Sequence, residues 1–357
     1  MMRCLSSKER LGSIFNGKTP DRTPILGGWI ACPEHICKIT NRTQEEYWEN
    51  PIDVTIDAYR TLGTDGLIDI YVPLNETDFR TKNINNFWRT VPSFSTEEAI
   101  EMIDKMPNPE NLSKNLDNEN EYEILKRDFI NFQCLCKDIL YMPAQWDNAP
   151  KIMWSDLLGY ENLLVIIGLY PEKIAKLIRI SSIRAFCRNN LLAKAIEEGL
   201  FPHAVLLGED ICDQRGPMIS PDFLEKHYVP ELKYSIQPLL DVGCKPVWHS
   251  DGNILPIIDL LIDSGIKGFQ GFQSECGVSI EFIAQKRTSE GNPLIVFGPL
   301  SVATEMVHLS PMEIRKKVRE ARSICQDNAY LAIFTSNTIN PDVPLENIYA
   351  MYEAVLM

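Results

Sequence analysis

The chain has 357 residues, of which 45% are hydrophobic and 24% are charged, and its formal net charge at pH 7 is −14. This balance is typical of a soluble globular protein that can bury a substantial core. The excess of acidic residues argues against a nucleic acid as the main partner, because binding to phosphates requires clustered lysine and arginine, and the sequence has no such cluster.

The first residues lack the apolar stretch of a signal peptide, and no apolar run is long enough to cross a bilayer. We therefore expect a cytoplasmic protein that does not bind membranes. The ten cysteines form no CxxC pair and have no regular spacing, which favours reduced thiols over a disulfide framework. The sequence leaves the oligomeric state open, a homodimer included.

The N-terminal half of the chain combines helical patterns with three predicted strands. Residues 32–35 are predicted to form a loop, 73–96 an irregular polar stretch and 107–120 a surface excursion. The region from about 97 to 200 is mostly helical. The predicted strands are 23–29, 66–72 and 139–142, and the predicted helices are 7–20, 51–62, 96–105, 121–138 and 155–198, the last with a break at 168–171.

The C-terminal half alternates short apolar runs with helical stretches, which predicts a parallel sheet. Eight strands in total favour a (β/α)8 TIM barrel with N-terminal and mid-chain helical additions, formed by residues 1–357 as a single domain. An open doubly wound sheet is the alternative, but the chain has no glycine-rich phosphate loop. The predicted strands are 204–207, 246–248, 268–272, 294–297 and 330–334; the predicted helices are 221–240, 254–263, 279–286, 311–324 and 345–355.

Polar side chains follow the predicted C-terminal strands, at the end where (β/α)8 barrels carry out chemistry. Several carboxylates in a partly dry cleft are costly unless a cation or protons compensate their charge. The pattern therefore favours a metal ion, or a carboxyl group with a raised pKa. The residues are Glu209 and Asp210 after the fourth strand, His249 and Asp251 after the fifth, Glu275 and Cys276 after the sixth, and Asn337 after the eighth.

Each of these residues has a structural alternative. The structural role of His249 would be a hydrogen bond to a backbone carbonyl, and that of Asp251 would be to cap the next helix. Cys276 would be a small buried hydrophobic residue. For Glu209 and Asp210 the structural alternative is that they are solvated acids in a loop. The aromatic residues near strand ends are either core or a wall for an apolar or cationic substrate; they include Trp29, Tyr71, Trp146 and Trp248.

Four segments of the chain resemble the uroporphyrinogen decarboxylase superfamily. They are ERLGSIFNGKTPDRTPI at 9–25, GEDICDQRGPMISP at 208–221, HSDGN at 249–253 and INPDVPLENIYAMYEAV at 339–355. The similarity covers essentially the whole chain. It implies a (β/α)8 barrel with its site at the C-terminal mouth, in a superfamily of decarboxylases and of methyltransferases that work with corrinoid proteins.

The differences from that superfamily narrow the expected reaction. The loop after Ile25 reads LGGWIACPEH and lacks the arginines with which true decarboxylases grip substrate carboxylates, and an acidic mouth would repel a porphyrinogen. Methyltransferases of the superfamily that transfer a methyl group to a thiol bind zinc through an HxC pair and a later cysteine. This chain has Asp251 at the position of the first cysteine and Asn337 near that of the second. The remaining type cleaves a methyl–oxygen or methyl–nitrogen bond with the Co(I) of a separate corrinoid protein.

The resemblance thus predicts a methyltransferase that demethylates a small methoxylated or N-methylated substrate. We expect His249, Asp251 and Glu275 to be catalytic, and zinc to be the metal, held by these three residues and Cys276. A uroporphyrinogen decarboxylase-type decarboxylase and a non-catalytic barrel that binds a small molecule are the alternatives. The expected substrate contacts are Trp29, Tyr71, Trp146, Glu209, Asp210, Trp248 and Asn337.

Overall fold

Two parallel β-sheets with helices packed around them make up the computed structural model, which describes residues 4–73, 94–114 and 118–356. Every neighbouring pair of strands is parallel, so the carboxyl ends of the strands in each sheet lie along one edge. The first sheet contains β1 (Leu26–Gly27), β2 (Gly66–Leu67) and β3 (Leu140–Tyr141); the second contains β4 (Ala204–Gly208), β5 (Lys245–His249), β6 (Gly268–Gln270), β7 (Ile295–Leu300) and β8 (Tyr330–Thr335).

Helices connect most of the strands, and the predicted mid-chain helical region is confirmed. A π-helical turn, Leu224–Tyr228, joins two of the helices. The α-helices are Ser7–Phe15, Pro33–Thr40, Gln44–Glu49, Pro51–Leu62, Thr96–Lys105, Asn118–Cys136, Ser155–Leu158, Tyr160–Leu169, Pro171–Glu197, Pro221–Phe223, Val229–Asp241, Ile258–Ser264, Ile280–Gln285, Glu305–His308, Pro311–Cys325 and Leu345–Leu356. Among the described residues, no helix has both the length and the apolar character needed to cross a membrane.

Local sequence signals explain where several helices begin. Ser6, Thr43, Ser95 and Ser310 each form a capping box with the glutamate three residues later, which satisfies otherwise unpaired N–H groups. The expected loop at 32–35 is wrong, because Pro33 begins the helix Pro33–Thr40. Proline has no N–H to leave unpaired in a first turn, so it favours that position.

Backbone contacts join the two sheets on both sides. At one junction Ile333 N–H of β8 donates to Pro24 O at 2.9 Å, and Ile25 forms a parallel bridge with Ile333. At the other, Gln145 N–H donates to Leu206 O of β4 at 2.8 Å. Segments next to β1 and β3 therefore contact β8 and β4 of the other sheet.

The strand side chains divide between two buried clusters. Leu26, Leu140 and Phe334, from strands of both sheets, pack together in one cluster with Leu206 and Val247. The residues that alternate with them along the strands, such as Leu207 and Trp248, pack in the larger cluster, which also contains residues of most of the helices. Because side chains alternate along a strand, this division gives the sheets one common inner face and one helix-covered outer face.

The strand predicted at 66–72 is shorter than expected. β2 ends at Leu67, and Asp69 takes a left-handed backbone with φ of +57°, which no regular strand accommodates. Most of the predicted stretch at 73–96 lies outside the described residues. The chain therefore turns out of the sheet two residues beyond β2, at the edge where the site lies.

Candidate active site

The ends of β4 and β5 bring three polar residues together. Gly208 at the end of β4 pairs with His249 at the end of β5, so the residues that follow each strand are neighbours. Asp251 N–H donates to Asp210 Oδ1 at 2.8 Å, and His249 Nε2 lies 3.5 Å from the same oxygen. One ligand atom each from Asp210, His249 and Asp251 lies within 4.8 Å of the other two.

The imidazole of His249 is held by Gln270, the last residue of β6. His249 Nδ1 is hydrogen-bonded to Gln270 Oε1, and Gln270 Nε2 donates to the carbonyl oxygens of Thr335 and Ser336, at 2.8 Å in each case. Gln270 is 1% exposed, so solvent does not compete for these contacts. The sequence analysis did not single out Gln270.

Asp251 has one satisfied carboxylate oxygen and one that is not. Asn337 Nδ2 donates to Oδ2 at 2.6 Å, whereas Oδ1 is buried without a hydrogen-bond partner in the described part of the chain. Burial raises the pKa of Asp251; His249 and the Asn337 amide oppose that rise, and the charges of Asp210 and Glu275 add to it. A buried orphan oxygen of this kind favours a bound cation or proton.

These groups fit a divalent metal ion. Zinc accepts imidazole nitrogen and carboxylate oxygen, which are the atoms that Asp210, His249 and Asp251 present. Within the described residues, no lysine or arginine forms an ion pair with Asp210 or Asp251, so their charge has no cation close by other than a protonated His249. The sequence predicted Glu275 and Cys276 as the further ligands beside His249 and Asp251. In the structure the third member of the group is Asp210, which was predicted to contact the substrate.

Glu275 and Cys276 lie outside this group of ligand atoms. The Glu275 carboxylate accepts hydrogen bonds from Ser301 Oγ at 3.0 Å and Thr304 Oγ1 at 3.1 Å, which ties the loop after β6 to the loop after β7. Cys276 is buried, and its pKa is raised by that burial, so the thiolate that binds metals is disfavoured. Glu275 thus stabilises the loop after β6.

Glu209 also holds a loop instead of presenting a free carboxylate. Its two oxygens accept hydrogen bonds from Ile152 N–H and Met153 N–H, each at 2.7 Å. Burial raises the pKa of Glu209 to about 7, although these two bonds favour the ionised form. The predicted substrate contact is therefore an anchor for the segment after β3.

Two of the four predicted aromatic residues contact His249, and a third packs against one of them. The ring centroids of Trp29 and Trp146 lie 6.0 and 5.3 Å from that of the imidazole, and Tyr71 packs edge-on against Trp29 at 6.0 Å. Tyr71 is 39% exposed and Trp146 is 37% exposed. These rings form a partly open aromatic surface that suits an aromatic ring or an alkylammonium group.

Trp248 faces away from this surface, and its expected contact with substrate is wrong. It is fully buried in the outer cluster, where it packs edge-on against Tyr228 at 6.2 Å. Consecutive residues of a strand point to opposite faces, so Trp248 and His249 cannot line the same site.

A further acid, Asp69, lies two residues beyond β2. Its Oδ1 accepts a hydrogen bond from Ala144 N–H at 3.0 Å, and burial raises its pKa to about 6. A left-handed backbone at a residue other than glycine is uncommon and is concentrated at functional sites. Sequence analysis missed Asp69, although a lone acid within the apolar run GLIDIYV was a usable signal.

Comparison with known proteins identifies a similar fold. A methyltransferase from Methanosarcina mazei superposes with a TM-score of 0.63 over 98% of each chain, at 15% sequence identity. No protein-family model matches the sequence, and a search of curated proteins found no match. At this identity the similarity concerns the fold.

Proposed function

We propose that this protein is a corrinoid-dependent methyltransferase of the uroporphyrinogen decarboxylase superfamily. It removes a methyl group from a small methoxylated or N-methylated compound and passes it to the Co(I) of a corrinoid protein. The observation that carries the proposal is the Asp210–His249–Asp251 group beside an open aromatic surface. The fold shared with a methyltransferase supports it.

A closed (β/α)8 barrel is part of this proposal. The contacts of β8 with Ile25 and of Leu206 with Gln145 support closure, as does the inner cluster shared by both sheets. In such a barrel the carboxyl ends of all strands surround one mouth. Asp69, Asp210, His249 and Asp251 would then share that mouth with Trp29 and Trp146.

The transfer requires stabilisation of the group that loses its methyl. The methyl carbon passes to cobalt, and both electrons of the broken bond leave with the oxygen or nitrogen. An ether oxygen becomes a phenolate or alkoxide, which is a poor leaving group unless it gains a proton or meets a cation. Asp69, with a pKa of about 6, is the proposed proton donor to that oxygen. A quaternary ammonium ion that loses a methyl group becomes a neutral tertiary amine, which needs no proton to leave.

Asp210, His249 and Asp251 would hold the metal ion at the same mouth, which we propose to be zinc. When bound, a divalent ion supplies a Lewis acid that polarises the leaving atom. The chain's own residues orient the reactants. Trp29, Tyr71 and Trp146 contact the apolar part of the substrate, and exposure of Tyr71 and Trp146 leaves the methyl group accessible to a partner protein.

Methyl transfer is tested with a reduced corrinoid protein and a panel of methoxyaromatic and methylamine substrates. We expect an absorbance change as the corrinoid accepts the methyl group. His249→Ala should slow it by at least about a hundredfold with little loss of substrate affinity, because the variant lacks a ligand of the metal ion that would polarise the leaving group.

Trp248→Phe is the matched control for that experiment. It changes the adjacent residue of β5 on the opposite face, and it should keep near-normal transfer. Normal turnover by His249→Ala would show that His249 is structural. Carbon dioxide release from uroporphyrinogen by the unmodified protein would contradict the methyltransferase proposal, and substrate binding without any transfer would favour a non-catalytic barrel.

A further inference from the structure

The surroundings of Gln270 fix which way its amide points. Gln270 Nε2 lies 2.8 Å from both the Thr335 and the Ser336 carbonyl oxygens. Carbonyl oxygens only accept hydrogen bonds, so the atom that faces both must be the nitrogen with its two N–H groups. The reverse orientation would set Oε1 against two other acceptors in a place where Gln270 is 1% exposed.

This orientation determines the hydrogen on the neighbouring imidazole. The atom of Gln270 that contacts His249 Nδ1 is Oε1, which has no hydrogen to donate. His249 must therefore donate from Nδ1. A neutral imidazole has one N–H, so its Nε2 carries a lone pair.

The lone pair lies on the side of the ring that faces the acids. His249 Nε2 is 3.5 Å from Asp210 Oδ1, in the group that also includes Asp251. We propose that Gln270 is a positioning residue: it fixes neutral His249 as the Nδ1–H tautomer and directs the Nε2 lone pair at the metal position between Asp210 and Asp251. This inference rests on the metal site of the proposed function.

The position of Gln270 in the sheet explains why it can do this. β6 and β8 are not neighbours, since β7 lies between them. Gln270 nevertheless reaches β8 with its nitrogen and β5 with its oxygen, so the imidazole is held against two strands. Groups that hydrogen-bond the ring nitrogen of a histidine opposite its metal-binding nitrogen typically contribute about 10–100-fold to metal affinity, which is lost when they are removed.

The tautomer is measured directly in metal-free protein. Nitrogen NMR of histidine-labelled protein distinguishes protonated from unprotonated ring nitrogens, and the His249→Ala spectrum identifies the His249 signals among those of five histidines. At about pH 8.5, above the ordinary imidazole pKa of about 6.5, we expect Nδ1 protonated and Nε2 unprotonated. A predominant Nε2–H form would overturn the proposal.

Variants test whether Gln270 is the cause. Gln270→Met keeps the length of the side chain but removes the acceptor, and it should give mixed tautomers and at least about tenfold weaker zinc binding by competition titration. Gln326→Met, at an exposed site beyond the helix Pro311–Cys325, is the control and should change neither.

An unchanged tautomer and unchanged zinc affinity in Gln270→Met would overturn the assignment. If that variant does not fold, the spectrum of the unmodified protein decides alone, because it requires no substitution at Gln270. Neither measurement involves methyl transfer. A protein that binds zinc with the Nδ1–H tautomer but transfers no methyl group would contradict the proposed function and leave the role of Gln270 intact.

Discussion

The carboxyl group of Asp69 combines a buried environment, a left-handed backbone and a single hydrogen bond from Ala144. Its pKa is raised from 3.8 to about 6. The folded protein thus binds this proton more tightly than the unfolded chain does. The free energy of unfolding should fall as the pH rises from about 4 to about 6 and stay lower above that range.

Asp69→Asn should remove this pH dependence. Asparagine cannot ionise, can still accept from Ala144 N–H, and tolerates a left-handed backbone. In urea titrations the variant should exceed the unmodified protein in stability by roughly 1–3 kcal/mol at pH 8, with the difference vanishing near pH 4. The exposed control Asp259→Asn should change stability by less than about 1 kcal/mol across the range. Equal pH profiles for Asp69→Asn and the unmodified protein would show that Asp69 ionises normally.

Metal content distinguishes the role of Asp251 from that of Glu275. Asp251→Asn removes the negative charge of the carboxylate whose Oδ1 has no hydrogen-bond partner among the described residues. It should therefore abolish the binding of roughly one zinc per chain that we expect in the unmodified protein. Glu275→Gln changes a loop contact with Ser301 and Thr304, and it should retain the metal. Elemental analysis after zinc is added back decides the matter. Loss of metal from both variants would support the ligand set expected from the sequence, which included Asp251 and Glu275. Retention of metal in Asp251→Asn would contradict the site at Asp210, His249 and Asp251.

At the level of elements, the site depends on how closely β4 and β5 approach each other at their ends. Gly208 has φ of +148°, and a Cβ there would lie 2.1 Å from the backbone oxygen of His249. No side chain fits that space without moving β5. The close approach sets the spacing between Asp210 and His249.

Gly208→Ala should therefore destabilise the protein by at least about 2 kcal/mol and weaken metal binding. Gly199→Ala is the matched control, because Gly199 also has a positive φ of +72° but nothing within 4 Å of an added Cβ. It should cost about 1 kcal/mol and leave metal binding unchanged. Urea unfolding and zinc titration measure both effects. Equal losses in the two variants would mean that backbone conformation alone matters at Gly208.

At the scale of the whole molecule, strand periodicity and strand ends were predictable, and long-range pairing was not. The apolar runs of β4 to β8 located His249, Asp251 and Asn337 at one edge, because parallel strands end together. Applied strictly, the two-residue alternation would also have excluded Trp248 and singled out Gln270. The bonds that make Glu209 and Glu275 loop anchors join segments about 57 and 26 residues apart, which local pattern does not reveal.

The cysteines provide a test of burial over the whole chain. All ten are free thiols, and Cys4 and Cys134 are exposed while Cys187 is half-buried and the remaining seven are buried. Burial also raises the pKa of several buried thiols, that of Cys136 to about 11 and that of Cys244 to about 12. We expect about two thiols to react rapidly with a disulfide reagent in native protein, and ten after denaturation. Rapid reaction of five or more would contradict the packing of the core.

Trp146 makes the candidate site observable by fluorescence spectroscopy. Its side chain is 37% exposed, and its ring centroid lies 5.3 Å from that of the His249 imidazole, so a group that binds beside His249 would change the surroundings of the indole. Five other tryptophans contribute background emission, so the signal is the difference between the unmodified protein and Trp146→Phe. The chain therefore carries an intrinsic optical reporter, through which the binding of an ion or a substrate at the candidate site would be observable without a label.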